Sequence, residues 1–224
     1  MALDCEMGTA VNSDTVLIRI TMIDYFTGDV LIDNLVEPDT PLRHTNYKYS
    51  GITFGDLRRA KNKRTCLMGT EAVRRAIWKH VGPHTIVVGH GLHNDLKAIK
   101  WIHTAVVDTF VIESELRKAY QAKLSNEPTG GISLAAPDTQ TPPPAASPAP
   151  ANEPPAPEQK PKQPKALSRS LENLAKQRLG RIIQTKQHDS LEDALATRDL
   201  AHWYVTNPGF VTLEELDEDG LLVL

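Results

Sequence analysis

"TVLIRITMIDYFTGDVLIDNLVE" (15–37) holds two runs rich in β-branched residues on either side of Phe26-Thr27-Gly28-Asp29, a turn composition, so the stretch is expected to be a hairpin. Upstream, "MALDCEM" (1–7) reads as a third strand. Downstream the apolar period changes to that of a helix: Val73, Ile77 and Val81 recur at i, i+4 and i+8, and Gly82-Pro83 stand where such a helix should stop. "TIVVG" (85–89) is short and wholly apolar, as a strand buried on both faces is. A helix over "LHNDLKAIKWI" (92–102), a strand over "AVVDT" (105–109) and a helix to about Ala122 follow. The order predicts an α/β domain in which a hairpin sheet joins a βαβ half and helices close the fold.

The chain of 224 residues carries 16 prolines. Twelve of them fall between Pro128 and Pro164, in a stretch without aromatic residues, which cannot bury enough apolar surface to offset its ordering entropy. The expected division is a domain over 1–121, a disordered Pro/Ala-rich insertion over 122–165, closing helices over 166–206 and an acidic tail over 207–224. The insertion's PxxP-like pieces could dock on a partner protein, although such segments mostly serve as spacers. In the closing part Leu167, Leu171 and Leu174 keep helical spacing ahead of Gly180, a left-handed cap position, and a last helix is expected from about Ser190 to Val205.

The net charge is −3, but five carboxylates of the tail (Glu214, Glu215, Asp217, Glu218, Asp219) mask a balance of −3 + 5 = +2 elsewhere. Basic residues gather in "LRRAKNKR" (57–64) and "KQPKALSRS" (162–170), so a polyanionic partner is permitted without being demanded. Cys5 and Cys66 are too few for a disulfide framework or a zinc cage and suggest a reducing compartment. With neither a signal peptide nor an apolar run near ~20 residues, an intracellular protein is expected, in the nucleus sooner than the cytoplasm.

Strand alternation puts Asp4 and Glu6 on one face, about 7 Å apart along the strand. Two carboxylates there repel, and burying either unpaired is costly. Asp95 shares a helical stripe with Leu92, Leu96 and Ile99, and Asp193 shares one with Leu200 and Tyr204, so two further acids point toward the interior. Four inward carboxylates require cations, and hard divalent ions with oxygen ligands, Mg²⁺ or Mn²⁺, answer that need. Two such ions roughly 4 Å apart could clamp a phosphodiester during in-line displacement. His188, just ahead of a helix whose start Asp189 and Ser190 signal, is the candidate base for the attacking water, with Glu192 placed to complete a capping box from Asp189.

In this order and spacing "LDCEM" (3–7), "GHGLHNDL" (89–96) and "HDSLEDA" (188–194) resemble the three motifs of the DEDDh 3′→5′ exonucleases, with a histidine, four residues and then the aspartate. "SGIT" (50–53), "HNDL" and "VDT" (107–109) further resemble the RNA-exonuclease branch. The resemblance covers 1–120 and 167–206. It implies an RNase H-like fold with a mixed five-stranded sheet, Asp4, Glu6, Asp95 and Asp193 as metal ligands, and His188 as general base. It also implies that Met7 packs on the terminal base and that His90 and Lys48 sit near the 3′ nucleotide. Position 48 holds lysine where the family leads one to expect arginine, a point charge in place of a bidentate fork. The implied activity is removal of nucleoside 5′-monophosphates from RNA 3′ ends; the alternatives are a DNA exonuclease of the same fold and a non-catalytic RNA- or partner-binding module. Because only three residues precede Asp4, the native chain is expected to continue upstream, or else the first strand to be unusually short and frayed at its start.

Overall fold

The computed structural model describes residues 1–126 and 169–208. Strands β1 (Ala2–Ala10), β2 (Thr15–Ile23) and β3 (Val30–Glu37) form an antiparallel meander. The β2–β3 turn is fixed by the Asp24 carboxylate, which accepts the N–H groups of Phe26 at 2.8 Å and Thr27 at 2.9 Å, and by Gly28 at φ 78°. Strand β4 (Leu42–His44) pairs with the far end of β1 and leads through the single turn α1 (Tyr47–Ser50) into α2 (Phe54–Lys63). The helix α2 starts on a capping box between Thr53 and Asp56. Then come β5 (Leu67–Met68), α3 (Gly69–Ile77), β6 (Val87–Gly89), α4 (His93–Ile99), β7 (Val106–Asp108) and α5 (Thr109–Asn126), and after the undescribed stretch α6 (Leu171–Leu179) and α7 (Ser190–Thr206).

The sheet order is β5-β3-β2-β1-β6-β7, with β4 added on β1. Strands β6 and β7 run parallel to β1, so the sheet is mixed. The five expected strands form its body, and the two short strands β4 and β5 bring it to seven; elements of two or three residues carry no period to read. Two further expectations are corrected. The first strand is nine residues long, because Gly8 and Thr9 go on pairing with β2 and Thr9 and Ala10 pair with β4, and the Met1 ammonium donates to Ile86 O at 2.9 Å. Helix α3 ends at Ile77 rather than near Gly82; Trp78–His80 turn away, and Val81 still reaches the core. The proline-rich stretch, Leu167 and the acidic tail beyond residue 208 lie outside the described residues.

The central strand separates two packings. Leu3 and Cys5 enter a core with Val73, Ile77 and Ile99 of α3 and α4, and the half-buried Met7 packs against it. Ala2, on the other parity, packs with Ile23, Val88 and with Ala194 and Ala201 of α7. Asp4 and Glu6 share that second parity. A β-bulge sharpens it: Glu6 pairs with Arg19 and Met7 with Leu17, leaving Ile18 extra in β2. Without the extra residue the alternation that sinks Leu17 into the first core would send Arg19 there too. The bulge instead puts Ile18 beside Ile52 and Leu57 and brings Arg19 opposite Glu6.

The closing helices are fastened by apolar and ionic contacts. Leu171, Leu174, Ile183, Ala196 and Leu200 form their core. Between α5 and α7 the buried Glu113 carboxylate accepts from Tyr204 Oη at 2.7 Å and Arg117 Nε at 2.8 Å, with Arg178 3.6 Å away and stacked on Trp203. Burial and the adjacent Glu113 push the Tyr204 phenol far above its ordinary value. On β2, Thr21 Oγ1 and Ser190 Oγ meet at 2.6 Å, locking the start of α7 to the sheet.

Candidate active site

Helix α7 begins where its sequence says it should: the Asp189 side chain accepts from Leu191 N and Glu192 N. The expected capping box does not form, because Glu192 Oε2 accepts from Gln184 N at 2.9 Å and so anchors the preceding loop instead. The first turn carries Asp193 toward β1. There one oxygen each of Asp4, Glu6 and Asp193 lies within 4.8 Å of the others. Glu6 and Asp193 are buried and Asp4 half-buried. Asp95, in the first turn of α4, is also buried, and it acts electrostatically on Asp4.

The charges record this crowding. Loss of solvent, then the carboxylates of Asp95, Asp193 and Glu6, pushes Asp4 well above the usual carboxyl range, with Arg19 opposing. Burial and the nearby Asp193 push Glu6 up to about 8, against the pull of His188 and Arg19. Asp95 is raised to about 7, chiefly by burial. Cys5 is pushed up by burial and by Asp95. His188 moves upward because it is hydrogen-bonded to Asp193 and close to Glu6; its Nδ1 stands 3.3 Å from Asp193 Oδ2.

Glu6 Oε1 is buried with no hydrogen-bond partner, although polar atoms in such places are nearly always paired. An orphaned carboxylate oxygen, with oxygens of two further acids around it, is a donor set that fits a hard divalent cation. The structure thus brings together Asp4, Glu6, Asp193 and His188, with Asp95 acting on Asp4 from α4.

The other expected residues stand as follows. Met7 is half-buried against the first core. Lys48 is exposed on α1 with Nζ 5.6 Å from the Tyr49 ring centroid. His90 Nε2 donates to Arg169 O at 3.0 Å and Nδ1 lies 2.9 Å from Thr109 Oγ1, so both ring nitrogens are engaged within the chain, and burial lowers its pKa.

Sequence reasoning missed the supporting residues. Arg19 forks onto Asp33 at 2.9 and 3.2 Å and reaches Asp189 at 3.3 Å, a cation set beside the acids. Gln184, at φ 56°, donates from Nε2 to both oxygens of Asp193 at 2.9 Å. Tyr49 accepts the His188 N–H at 2.8 Å and sets its ring edge-on to the imidazole at 6.4 Å. The only sequence signal for Arg19 is a charge inside a β-branched run; Gln184 and the Tyr49 carbonyl carry none.

A mixed sheet whose central strand carries Asp4 and Glu6 beside Asp193 and His188, with Asp95 acting on Asp4 from α4, is an arrangement able to hold a hard divalent cation. No family model matches the chain. It is 27% identical over 201 residues to RNA exonuclease 3 of Candida glabrata, covering 89% of this chain and 36% of that protein. It is 30% identical over 206 residues to RNA exonuclease 1 of Saccharomyces cerevisiae, covering 92% and 28%. In structure it is similar to the Saccharomyces cerevisiae Pan2 pseudoubiquitin hydrolase-RNA exonuclease module in complex with AAGGAA RNA, with a TM-score of 0.61 at 22% identity over 93% of this chain and 29% of that one. In motifs, fold and named relatives the chain is similar to the DEDDh exonucleases. The chain spans well under half the length of these relatives.

Proposed function

We propose that the domain is a 3′→5′ exoribonuclease that hydrolyses the terminal phosphodiester of RNA and releases nucleoside 5′-monophosphates. The observation that carries this reading is the convergence of one oxygen each of Asp4, Glu6 and Asp193 within 4.8 Å, in a cluster where Glu6 Oε1 is buried without a hydrogen-bond partner. Asp4, Glu6, Asp95 and Asp193 would hold Mg²⁺ or Mn²⁺, which, bound as a pair, supplies charge stabilisation to the attacking and leaving oxygens. His188 takes the proton of the attacking water at its imidazole; it is fixed by Asp193 and by the Tyr49 carbonyl yet open to solvent, as a group exchanging protons with water must be. The exposed Lys48 and Tyr49 beside His188 and the half-buried Met7 offer the 3′ nucleotide a cation and apolar surface. His90 would reach that nucleotide only by giving up Arg169 O or Thr109 Oγ1.

The relatives support RNA over DNA as substrate: two are named RNA exonucleases, and the Pan2 module was solved with RNA. The basic α2 cluster, with Lys63 and Arg64 exposed, suits a polyanion and, as a weak import signal, a nuclear location. The division into a domain interrupted by a Pro/Ala-rich insertion able to recruit a partner protein is part of the same proposal.

The test is degradation of a 5′-labelled single-stranded RNA, and of a DNA strand of matched sequence, with metal omitted and then restored. Stepwise shortening of RNA that needs Mg²⁺ or Mn²⁺ and disappears in Asp4→Ala and Asp193→Ala is expected. Persistent cleavage in both variants would overturn the site, and faster cleavage of DNA would overturn the substrate.

A further inference from the structure

The turn that delivers Asp95 is held from outside its own element. Helix α4 lacks an N-cap side chain: Leu92 occupies that position in a helical conformation with no side-chain cap. The missing acceptor comes from the next strand over. Asp108, the last residue of β7, accepts Gly91 N at 2.8 Å and Phe110 N at 3.0 Å on Oδ1, and Leu92 N at 2.9 Å on Oδ2. One carboxylate thus fixes two successive amides at the entry of α4 and one at the entry of α5, bonds of the charge-assisted kind. Its neighbour Thr109, fully buried, adds Oγ1 to Gly89 O at 3.2 Å and contacts His90 at 2.9 Å.

The turn has little freedom to settle elsewhere. Gly91 sits at φ 68°, and a Cβ on Gly89 would come within 2.6 Å of Leu92 Cδ1. Asp95 follows Leu92 by three residues, within the first helical turn, where it is buried, and Leu92 and Ile99 pack the same helix against Leu3 and Cys5 of β1.

We propose that Asp108 is a positioning residue for Asp95: by anchoring the Gly91 and Leu92 amides it sets where the first turn of α4 meets β1, and so completes the fourth acid of the cluster. Asp108 touches neither metal nor substrate in this role. The inference rests on the metal-binding reading above.

The experiment titrates Mn²⁺ calorimetrically into the full chain as wild type, Asp108→Ala, Asp108→Asn and Val73→Ala. The last is a cavity variant in the α3 core that lowers stability without removing any bond of the Asp108 anchor. Asp108→Ala is expected to weaken Mn²⁺ binding by about tenfold or more, the range of outer-shell changes in metal sites. Asp108→Asn keeps one acceptor oxygen and should fall between Asp108→Ala and wild type, which keeps the test open if the alanine variant does not fold. Val73→Ala should lose melting temperature without losing affinity. Amide exchange by NMR should show Gly91, Leu92 and Phe110 losing protection selectively. Wild-type affinity in the Asp108 variants, or an equal loss in Val73→Ala, would overturn the positioning role while leaving the metal site standing. Absence of Mn²⁺ binding in wild type would overturn the metal reading itself and the inference with it.

Discussion

His188 Nδ1 stands 3.3 Å from Oδ2 of Asp193, and the backbone N–H of the same histidine donates to Tyr49 O at 2.8 Å. The histidine is therefore held once by its ring and once by its backbone, from two elements, while its side chain stays 43% exposed. His188→Ala is expected to slow RNA cleavage by about 10²- to 10⁴-fold, the usual worth of a general base. Mn²⁺ affinity, read by calorimetry, should stay close to wild type; a parallel loss of affinity would make the residue a ligand.

The raised carboxyls have a consequence for stability. Glu6 moves from 4.5 to about 8 and Asp95 from 3.8 to about 7. Between the unfolded and folded values the native state binds more protons than the unfolded one, so stability falls as pH rises through that window. His188, also raised, acts in the same direction. In EDTA the melting temperature should therefore drop from about pH 5 to about pH 8, and Mn²⁺ should restore more of it at the higher pH, where the acids are ionised and able to bind. Melting curves at both pH values with and without metal check this; a metal-free protein that gains stability across the interval would contradict it.

Glu6→Gln removes one charge from a cluster that repels itself. Cleavage should be abolished, yet the metal-free variant should melt roughly 2–4 °C higher at about pH 8, on the order of 1 kcal/mol. Scanning calorimetry in EDTA separates this from simple unfolding, in which activity and melting temperature fall together.

Glu113, in the second turn of α5, carries stability. Glu113→Ala leaves Arg178, only 6% exposed, without its carboxylate and should cost about 3–5 kcal/mol in denaturant titration. Tyr204→Phe removes one hydrogen bond of the same group and should cost about 1–2 kcal/mol.

What could be read in the sequence followed from period and charge. The β-branched runs gave β2 and β3, the wholly apolar 85–89 stretch gave β6, and Asp95 and Asp193 stood out because each interrupts an apolar stripe. Less local facts were invisible. The Ile18 bulge depends on how two strands align, and nothing within β2 announces it. Asp108 looked like the end of a strand, since its role lies in amides 16 and 17 residues earlier. Glu192 obeyed a capping rule in sequence but was captured by Gln184, a loop residue whose left-handed backbone no periodicity predicts.

The lock between Thr21 and Ser190 spans 169 positions of the chain. Asp4 and Glu6 leave the ribosome well before Asp193, which meets them within 4.8 Å and arrives with α7. A nascent chain can assemble its sheet and even seat Asp95 while the cluster still lacks an acid. If the domain cuts RNA as proposed, its activity waits until α7 has emerged, so the order in which the acids leave the ribosome sets when the site is complete.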